Sequence, residues 1–203
     1  MQQLVSLGVA GAVVEMGAHV CGFFNHGDLR REILDGFVAG GVRAGHKCYC
    51  LLDCPDPVPT GPAVGSLTGS AVTSGQVEFM TRMESYLPDG TFAAPRMLTR
   101  LEALVTRALH EEAYPAVRAV GEMSWASEAV PGAEEVSLYE SEVNRLAGRY
   151  PQVLLCLYDL SRFRAEALVE VLKTHPWILI ANVVLKNPYY LDPDEYLAGR
   201  GVL

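Results

Sequence analysis

The chain has 203 residues, of which 50% are hydrophobic and 20% charged, and its 24 acidic and 16 basic side chains give a formal net charge of −8 at pH 7. These values predict a single globular domain over residues 1–203 with a sizeable core. The negative charge argues against direct nucleic-acid binding, because phosphate backbones would repel it. No uncharged apolar run of 18 or more residues exists to span a membrane.

The N-terminus and the cysteines bear on where the protein works. The apolar stretch from Leu4 to Val14 imitates a signal peptide, but residues 1–3 carry no basic side chain, so we expect no cleavage. Five cysteines are an odd number for a disulfide framework in a domain of this size. We therefore expect reduced thiols and a cytoplasmic protein.

The first part of the chain alternates strand and helix. A β-prone run from Ala18 to Phe24 is followed by a helix, for which Asp28 is the predicted N-cap and Gly45 the end. The next predicted strand covers Cys48 to Leu52. From Pro55 to Gly75, the abundance of Pro, Gly, Ser and Thr predicts a long loop with at most one short helical turn.

The remaining elements continue this alternation. They comprise a strand at Gln76–Thr81, a helix starting at Pro95, a strand at Tyr114–Gly121, a helix at Glu134–Gly148, a strand at Val153–Tyr158, a helix capped by Ser161 and a final strand at Trp177–Leu185. Nearly continuous apolar strands between amphipathic helices are typical of a parallel sheet covered on both faces. We therefore predict a doubly wound, mainly parallel α/β fold.

Ligands of such folds bind outside the carboxyl ends of the strands. The polar or aromatic residues predicted to lie there are Asn25, His26, Asp53, Glu122, Trp125 and Asp159. The structural alternative is that these side chains simply end strands and cap helices.

The loop after the first long strand occupies the place of a phosphate-binding loop. Its sequence, Phe23 to Arg31, contains no lysine and no Ser or Thr to hold magnesium, and Asp28 would repel a phosphate. We therefore expect neither ATP or GTP hydrolysis nor a cofactor.

Metal binding and nucleophilic catalysis have weaker signals. His19 and Cys21 share one face of a strand, and Cys48 and Cys50 repeat the spacing, so an adjacent pair of strands would offer an N/S₃ zinc set. The spacing is not C-x-x-C, and buried cysteines commonly act as small hydrophobes, so we expect no metal. We assign Cys156 to the core and His175 to a helix end. The G-x-S-x-G motif is absent, which argues against a serine nucleophile of that type.

Several segments together resemble the MEDS domain, the methanogen/methylotroph DcmR sensory domain. They are His19–Phe24, Gly121–Trp125, Tyr139-Glu140 with Asn144, Cys156–Phe163, His175-Pro176 and Asn187–Tyr190, and the resemblance runs from about Gly17 to Pro193. It implies a degenerate relative of RecA-like P-loop ATPases that has lost its nucleotide motif. It also implies a sensor of small hydrocarbon derivatives, often joined to DNA-binding or histidine-kinase-like modules. We expect this chain, which carries no such module, to signal through a separate partner.

The resemblance points to a set of ligand-binding positions: His19, Cys21, Glu122, Trp125, Tyr139, Glu140, Asn144, Tyr158 and Asp159. Spacing supports part of this set, because Glu140 and Asn144 are four residues apart and share a helix face. The alternative is a buried polar network that holds the helices on the sheet.

Three functions remain open from the sequence. The first is a non-enzymatic sensor of a small organic ligand, with an apolar pocket and a few polar groups. The second is an enzyme with Glu122 or Asp159 as general base and His19 or His26 as its partner. The third is a protein-binding scaffold with an exposed apolar patch. The oligomeric state, including a homo-oligomer, is not determined by the sequence.

Overall fold

The computed structural model describes residues 3–53 and 69–200. A small antiparallel hairpin, β1 (Leu4–Ser6) and β2 (Val13–Glu15), precedes the main sheet. The main sheet contains β3 (His19–Phe24), β4 (Lys47–Leu52), β5 (Val77–Thr81), β6 (Val117–Glu122), β7 (Gln152–Asp159), β8 (Trp177–Ile180) and β9 (Val183–Lys186). Their order is β5-β4-β6-β7-β3-β8-β9, and β9 alone runs antiparallel to its neighbour in this sheet of the described residues.

Helices cover both faces of the sheet, as predicted. They are α1 (Gly27–Arg43), α2 (Ala94–Thr106), α3 (Val136–Ala147), α4 (Ala165–Thr174) and α5 (Pro193–Gly199). One apolar cluster joins the sheet to α2, α3 and α4, and a second joins the opposite face to α1 and the N-terminal hairpin. The doubly wound fold is therefore confirmed, and the first of these faces carries the candidate site.

Several local predictions were wrong. His26, not Asp28, caps α1, because its Nδ1 accepts the Leu29 amide at 3.1 Å. Ser161 caps no helix; it forms a turn with Asp159, and α4 begins at Ala165. The predicted single strand at Trp177–Leu185 is the β8–β9 hairpin. Its turn residues, Ala181 and Asn182, both have positive φ angles, which reverse the chain in two residues.

The predicted loop from Pro55 to Gly75 lies mostly outside the described residues, and so does Cys54. Residues 69–73, at its end, are helical, which agrees with the short turn that the composition allowed. The other four cysteines are buried and free, as expected for reduced thiols.

The N-terminal hairpin packs closely against α1, although the sequence analysis did not predict it. Leu7 and Val14 are fully buried beneath it. Gly8 has a φ of 84°, and a Cβ there would clash with the carbonyl oxygen of Gly36 in α1. Two glycines thus allow the hairpin backbone to approach the helix backbone directly.

Gly8→Ala is expected to lower the free energy of unfolding by about 2 kcal/mol, because the new Cβ adds left-handed strain and a backbone clash. Gly11→Ala is the matched control: Gly11 also has a positive φ, but no atom of the described residues lies within 4 Å of its Cβ position. Urea unfolding of both variants measures the difference. Equal losses would mean that the close approach contributes nothing.

Candidate functional site

A fully buried polar cluster lies between the sheet and two helices. His19 opens β3 and Cys156 lies in β7, the adjacent parallel strand, on the face that α3 and α4 cover. Glu140 comes from α3, and His175 directly follows α4. Each of the four side chains comes from a different element, so the cluster ties both strands to both helices.

The atoms of this His–Glu–Cys–His cluster are in direct contact. Glu140 Oε2 lies 3.2 Å from His19 Nε2, 3.5 Å from His175 Nε2 and 3.6 Å from Cys156 Sγ. His19 Nε2 is 3.4 Å from Cys156 Sγ. The other oxygen, Glu140 Oε1, accepts the Tyr158 hydroxyl at 2.7 Å. The carboxylate is thus the centre of the arrangement.

Asn144 fixes the orientation of the His19 ring. Its Nδ2 donates to the backbone carbonyls of Glu140, Ser141 and Thr174 at 2.7–3.1 Å. Its Oδ1 is therefore the atom that faces His19 Nδ1, at 3.1 Å, and it accepts the Nδ1 proton. A neutral His19 ring in this position presents the Nε2 lone pair to Cys156 and Glu140.

His175 is oriented in the same way. Its Nδ1 donates to the Val171 carbonyl at 2.8 Å, and its fully buried Nε2 has no hydrogen-bond partner among the described residues. Burial, and secondarily the neighbouring His19, lowers the pKa of His175 to about 3, so its ring is neutral at pH 7. Burial alone would raise the pKa of Glu140, but its contacts with His175, His19 and Tyr158 lower it below its usual range, so the carboxylate is ionised.

A cavity of about 180 Å³ opens beside the cluster, between α3 and α4. Its walls are mainly apolar, formed by Ala126, Ala133, Val136, Phe163, Ala167 and Val171. Polar groups lie at five positions, Ser137, Glu140, Tyr158, Glu170 and Thr174. Glu140 therefore belongs both to the buried cluster and to the cavity lining, and it connects the two.

The structure brings together four of the predicted ligand residues: His19, Glu140, Asn144 and Tyr158. Cys21 lies next to them, since it pairs with Cys156 in the sheet register, and its thiol donates to the Trp177 carbonyl at 3.5 Å. Burial, and secondarily the charge of Glu140, raises the pKa of Cys21, so the thiol is protonated. It is not the thiolate that a sensor of electrophiles would need.

Two members of the cluster were not predicted from the sequence as site residues. Cys156 was assigned to the core and His175 to a helix end. Both placements are correct, but both side chains also contact Glu140. Their segments were already among those that carry the family resemblance, and that was the available signal. Neither has a local motif, because the four residues meet only through the tertiary fold.

Two predicted ligand residues lie elsewhere in the core. Trp125 is fully buried between Tyr86 and Phe92, with ring centroids 5.1 and 5.0 Å away, and Tyr139 meets Phe92 edge-on at 5.6 Å. Neither residue lines the cavity beside Glu140. The contacts of Trp125 and Tyr139 favour a packing role.

The predicted residues at the carboxyl edge of the sheet are engaged in local structure. Glu122 accepts Arg30 Nε at 2.5 Å and Nη2 at 2.9 Å, and it also accepts the Asp53 amide at 2.9 Å. Asp159 accepts both the amide and the hydroxyl of Ser161. His26 caps α1, and Asn25 beside it is exposed. Asn25, His26, Glu122 and Asp159 do not line the cavity between α3 and α4.

The acid–base pairs that the sequence suggested are not assembled. Glu122 is bonded to Arg30 and the Asp53 amide, Asp159 is bonded to Ser161, and His19 contacts Glu140 instead of either carboxylate. The geometry gives Glu122 and Asp159 no histidine partner among the described residues.

The zinc set that the sequence suggested, His19 and Cys21 with Cys48 and Cys50, is also wrong. Strands β6 and β7 separate β4 from β3, which places them roughly 14 Å apart. Cys48 and Cys50 also point into the α1 side of the sheet, whereas Cys21 points into the opposite cluster. Two strands with the same spacing therefore do not share a site.

Comparison with known proteins gives a family match over most of the chain. Residues 18–176 match the family model described as MEDS, the methanogen/methylotroph DcmR sensory domain. The transcriptional repressor DcmR of Methylorubrum extorquens (strain DSM 6343 / CIP 106787 / DM4) is 25% identical over 171 residues, which cover 82% of this chain and 61% of the relative. The chain thus spans less than two thirds of that relative's length.

Solved structures confirm the fold. The KaiC-like protein PH0186 from Pyrococcus horikoshii OT3 has a TM-score of 0.59 and 9% identity, over 95% of this chain and 92% of that chain. The flagellar accessory protein FlaH from Methanocaldococcus jannaschii has a TM-score of 0.51 and 9% identity, over 91% and 84%. The RecA-like architecture is therefore shared. Among the helices of residues 3–53 and 69–200, none is long and apolar enough to cross a membrane.

Proposed function

The chain belongs to the MEDS family of sensory domains, and on this premise we propose that it senses a small organic molecule in the cavity between α3 and α4. The observation that carries the proposal is a mainly apolar cavity that ends at a buried carboxylate and a tyrosine hydroxyl. That combination of apolar walls and a few fixed polar groups is typical of small-molecule sites.

The size and chemistry of the cavity favour a small hydrocarbon derivative. Its volume of about 180 Å³ far exceeds the ~10–15 Å³ that one buried water needs, yet it is small for a drug-sized compound. Val136, Phe163 and Val171 offer contacts to carbon or halogen atoms, and Glu140 accepts a hydrogen bond from a hydroxyl or amine. A molecule with one polar end fits both parts.

The position of the cavity supports a regulatory output. A ligand wedged between α3 and α4 would change how these helices pack, and any surface they share with a partner would change with them. The DcmR relative is named as a transcriptional repressor. We propose that this domain acts in the cytoplasm and passes its signal to a separate output protein. With a net charge of −8, it is not expected to bind DNA directly.

The proposal predicts that a cognate ligand raises the melting temperature. Screening small alcohols, amines, thiols and halocarbons, we expect at least one to raise Tm by roughly 5–10 °C at 100-fold excess over its Kd. Ala167→Phe should remove most of this rise, because Ala167 is an exposed residue of the cavity lining and a phenyl ring there would occupy part of the cavity. Ala165→Phe is the matched control: it lies on the same helix and is exposed, but outside the lining.

Two outcomes would contradict the proposal. One is a flat response to the whole screen, and the other is a rise that Ala167→Phe and Ala165→Phe retain equally. Mg²⁺ with ATP serves as a negative arm, because only Asn25 and His26 join β3 to α1 and leave no loop to surround a phosphate. We expect ATP to leave Tm unchanged, as the proposed loss of the P-loop requires.

A further inference from the structure

The buried cluster has the donor set and the spacing of a metal site. Cys156 Sγ, one carboxylate oxygen of Glu140 and one ring nitrogen each of His19 and His175 all lie within 4.8 Å of one another. For Zn–N and Zn–O bonds of about 2.0–2.1 Å and a Zn–S bond of about 2.3 Å, tetrahedral ligands are separated by roughly 3.3–3.6 Å. Four of the six edges, at 3.2, 3.4, 3.5 and 3.6 Å, are close to this range, and the other two, from His175 to His19 and to Cys156, are at most 4.8 Å.

The Nδ1 atoms of both histidines make the kind of hydrogen bond that supports a metal-ligating histidine. His19 Nδ1 donates to Asn144, and His175 Nδ1 donates to the Val171 carbonyl, which leaves both Nε2 atoms facing inward as acceptors. A carbonyl or amide oxygen behind the ring is the usual support of a ligating histidine. The inward Nε2 of His175 is buried without a hydrogen-bond partner among the described residues, so a ligand on this atom would satisfy it.

Charge balance also favours a divalent cation. Two neutral imidazoles, one thiolate and one carboxylate carry a total charge of −2, which a divalent ion neutralises. The side chain of Glu140 is 1% exposed, and it has hydrogen bonds but no Arg or Lys among its contacts in the described chain. A buried carboxylate needs such compensation, because its desolvation is costly.

We propose that His19, Glu140, Cys156 and His175 form a tetrahedral N₂OS site for a divalent transition metal, with zinc as the best match. The mixture of imidazole, thiolate and carboxylate ligands suits zinc better than calcium or magnesium, which prefer oxygen donors. Binding releases the Cys156 thiol proton to solvent, since the thiolate is the ligand. From the sequence no metal was expected, because the spacing of the cysteines is not C-x-x-C and buried cysteines commonly act as small hydrophobes. The four ligands lie on separate elements, so no local motif indicates them.

A metal ion in this site would stabilise the fold. Four protein ligands fill a tetrahedral shell, as in structural zinc sites, and leave no position for a catalytic water. The ion would join β3 and β7 to α3 and to the end of α4. Glu140 would hold the ion through Oε2 while its other oxygen faces Tyr158 at the cavity, so the ion would also fix the cavity floor.

The test uses the full chain, stripped with a chelator and then titrated with Zn²⁺ or Co²⁺. We expect one equivalent of metal per chain, a rise in Tm with zinc, and a thiolate-to-cobalt charge-transfer band with the absorption of tetrahedral Co²⁺. Cys156→Ala should abolish that band and weaken affinity by about 100-fold or more, since even losing a supporting residue costs 10–100-fold. Cys50→Ala is the matched control, a buried cysteine on the opposite face.

Circular dichroism establishes that each variant is folded. If Cys156→Ala does not fold, Asn144→Leu, which removes the support of His19 and no ligand, should still weaken metal binding by about 10–100-fold. Less than 0.1 equivalent of metal in the wild type, with no cobalt band, would overturn the proposal. So would equal bands in Cys156→Ala and Cys50→Ala. Metal uptake is measured without any organic compound, so it remains informative even if the cavity proves to bind nothing.

Discussion

Replacing Arg118 by methionine is expected to lower the free energy of unfolding by about 3 kcal/mol. Arg118 lies in β6 with its side chain almost fully buried. Its guanidinium donates to the backbone carbonyls of Ser6 and Leu7 in the N-terminal hairpin and of Phe37 in α1. One side chain thus connects the sheet, the hairpin and the helix.

Two opposing effects decide the size of this loss. Removing the guanidinium saves the cost of burying a charge, and methionine fills much of the same apolar space. Against this, the Leu7 and Phe37 carbonyls lose their charged donor, and each such hydrogen bond contributes about 1.5–3 kcal/mol. The Ser6 carbonyl belongs to an exposed residue and can bind water instead. The loss of the two buried bonds outweighs the gain.

Arg43→Met is the matched control, since Arg43 is exposed at the end of α1. We expect it to change stability by less than about 0.5 kcal/mol. Urea unfolding measures both variants, and amide hydrogen exchange should show that β1 and β2 lose protection first in Arg118→Met. A variant as stable as Arg43→Met would show that the hairpin does not depend on this residue.

Much of the fold was predictable because its signals are local. The apolar runs in β3, β4 and β7, and the stripe in α2, follow the two periods that sequence alone reveals. The errors occurred where tertiary contacts decide. The β1–β2 hairpin is stabilised by Arg118, which is more than 100 residues away in sequence. The β8–β9 hairpin turns on Ala181 and Asn182, which carry no glycine signal.

The site was predictable in part for the same reason. Glu140 and Asn144 share a helix face, so their spacing indicates a pair, and the family resemblance added His19 and Tyr158. The role of Cys156 could not be derived from its strand, because a cysteine in an apolar strand has the same sequence pattern whether it packs in the core or contacts a polar cluster. The rule that places ligands at the carboxyl edge predicted Glu122 and Asp159 as site residues, but Arg30 and Ser161 already occupy their carboxylates. The sequence therefore indicates candidate side chains, but which of them are in contact depends on the tertiary fold.

Glu140→Leu is expected to cost more stability than either Gly8→Ala or Arg118→Met, with a loss of about 4 kcal/mol in the free energy of unfolding. Leucine keeps the approximate volume but accepts no hydrogen bond. The Tyr158 hydroxyl and the Cys156 thiol would then be buried without the carboxylate to which they donate, and each such group costs about 1–3 kcal/mol. Glu142→Leu is the matched control: it lies two residues along α3 and loses a partly exposed ion pair to Arg145, so we expect less than about 1 kcal/mol.

The hydrogen-bonded cluster and the zinc site differ in what Glu140→Gln does. Glutamine keeps the volume and one oxygen acceptor for Tyr158 but loses the charge. If the cluster is held by hydrogen bonds alone, Glu140→Gln lowers the free energy of unfolding by the same amount in the presence of a chelator and in the presence of zinc. If zinc occupies the site, the stability gap between wild type and Glu140→Gln widens when zinc is added, because the ion binds the folded wild type more tightly. Urea unfolding in both conditions, with Glu142→Gln alongside, measures that gap, and an unchanged gap would exclude Glu140 as a ligand.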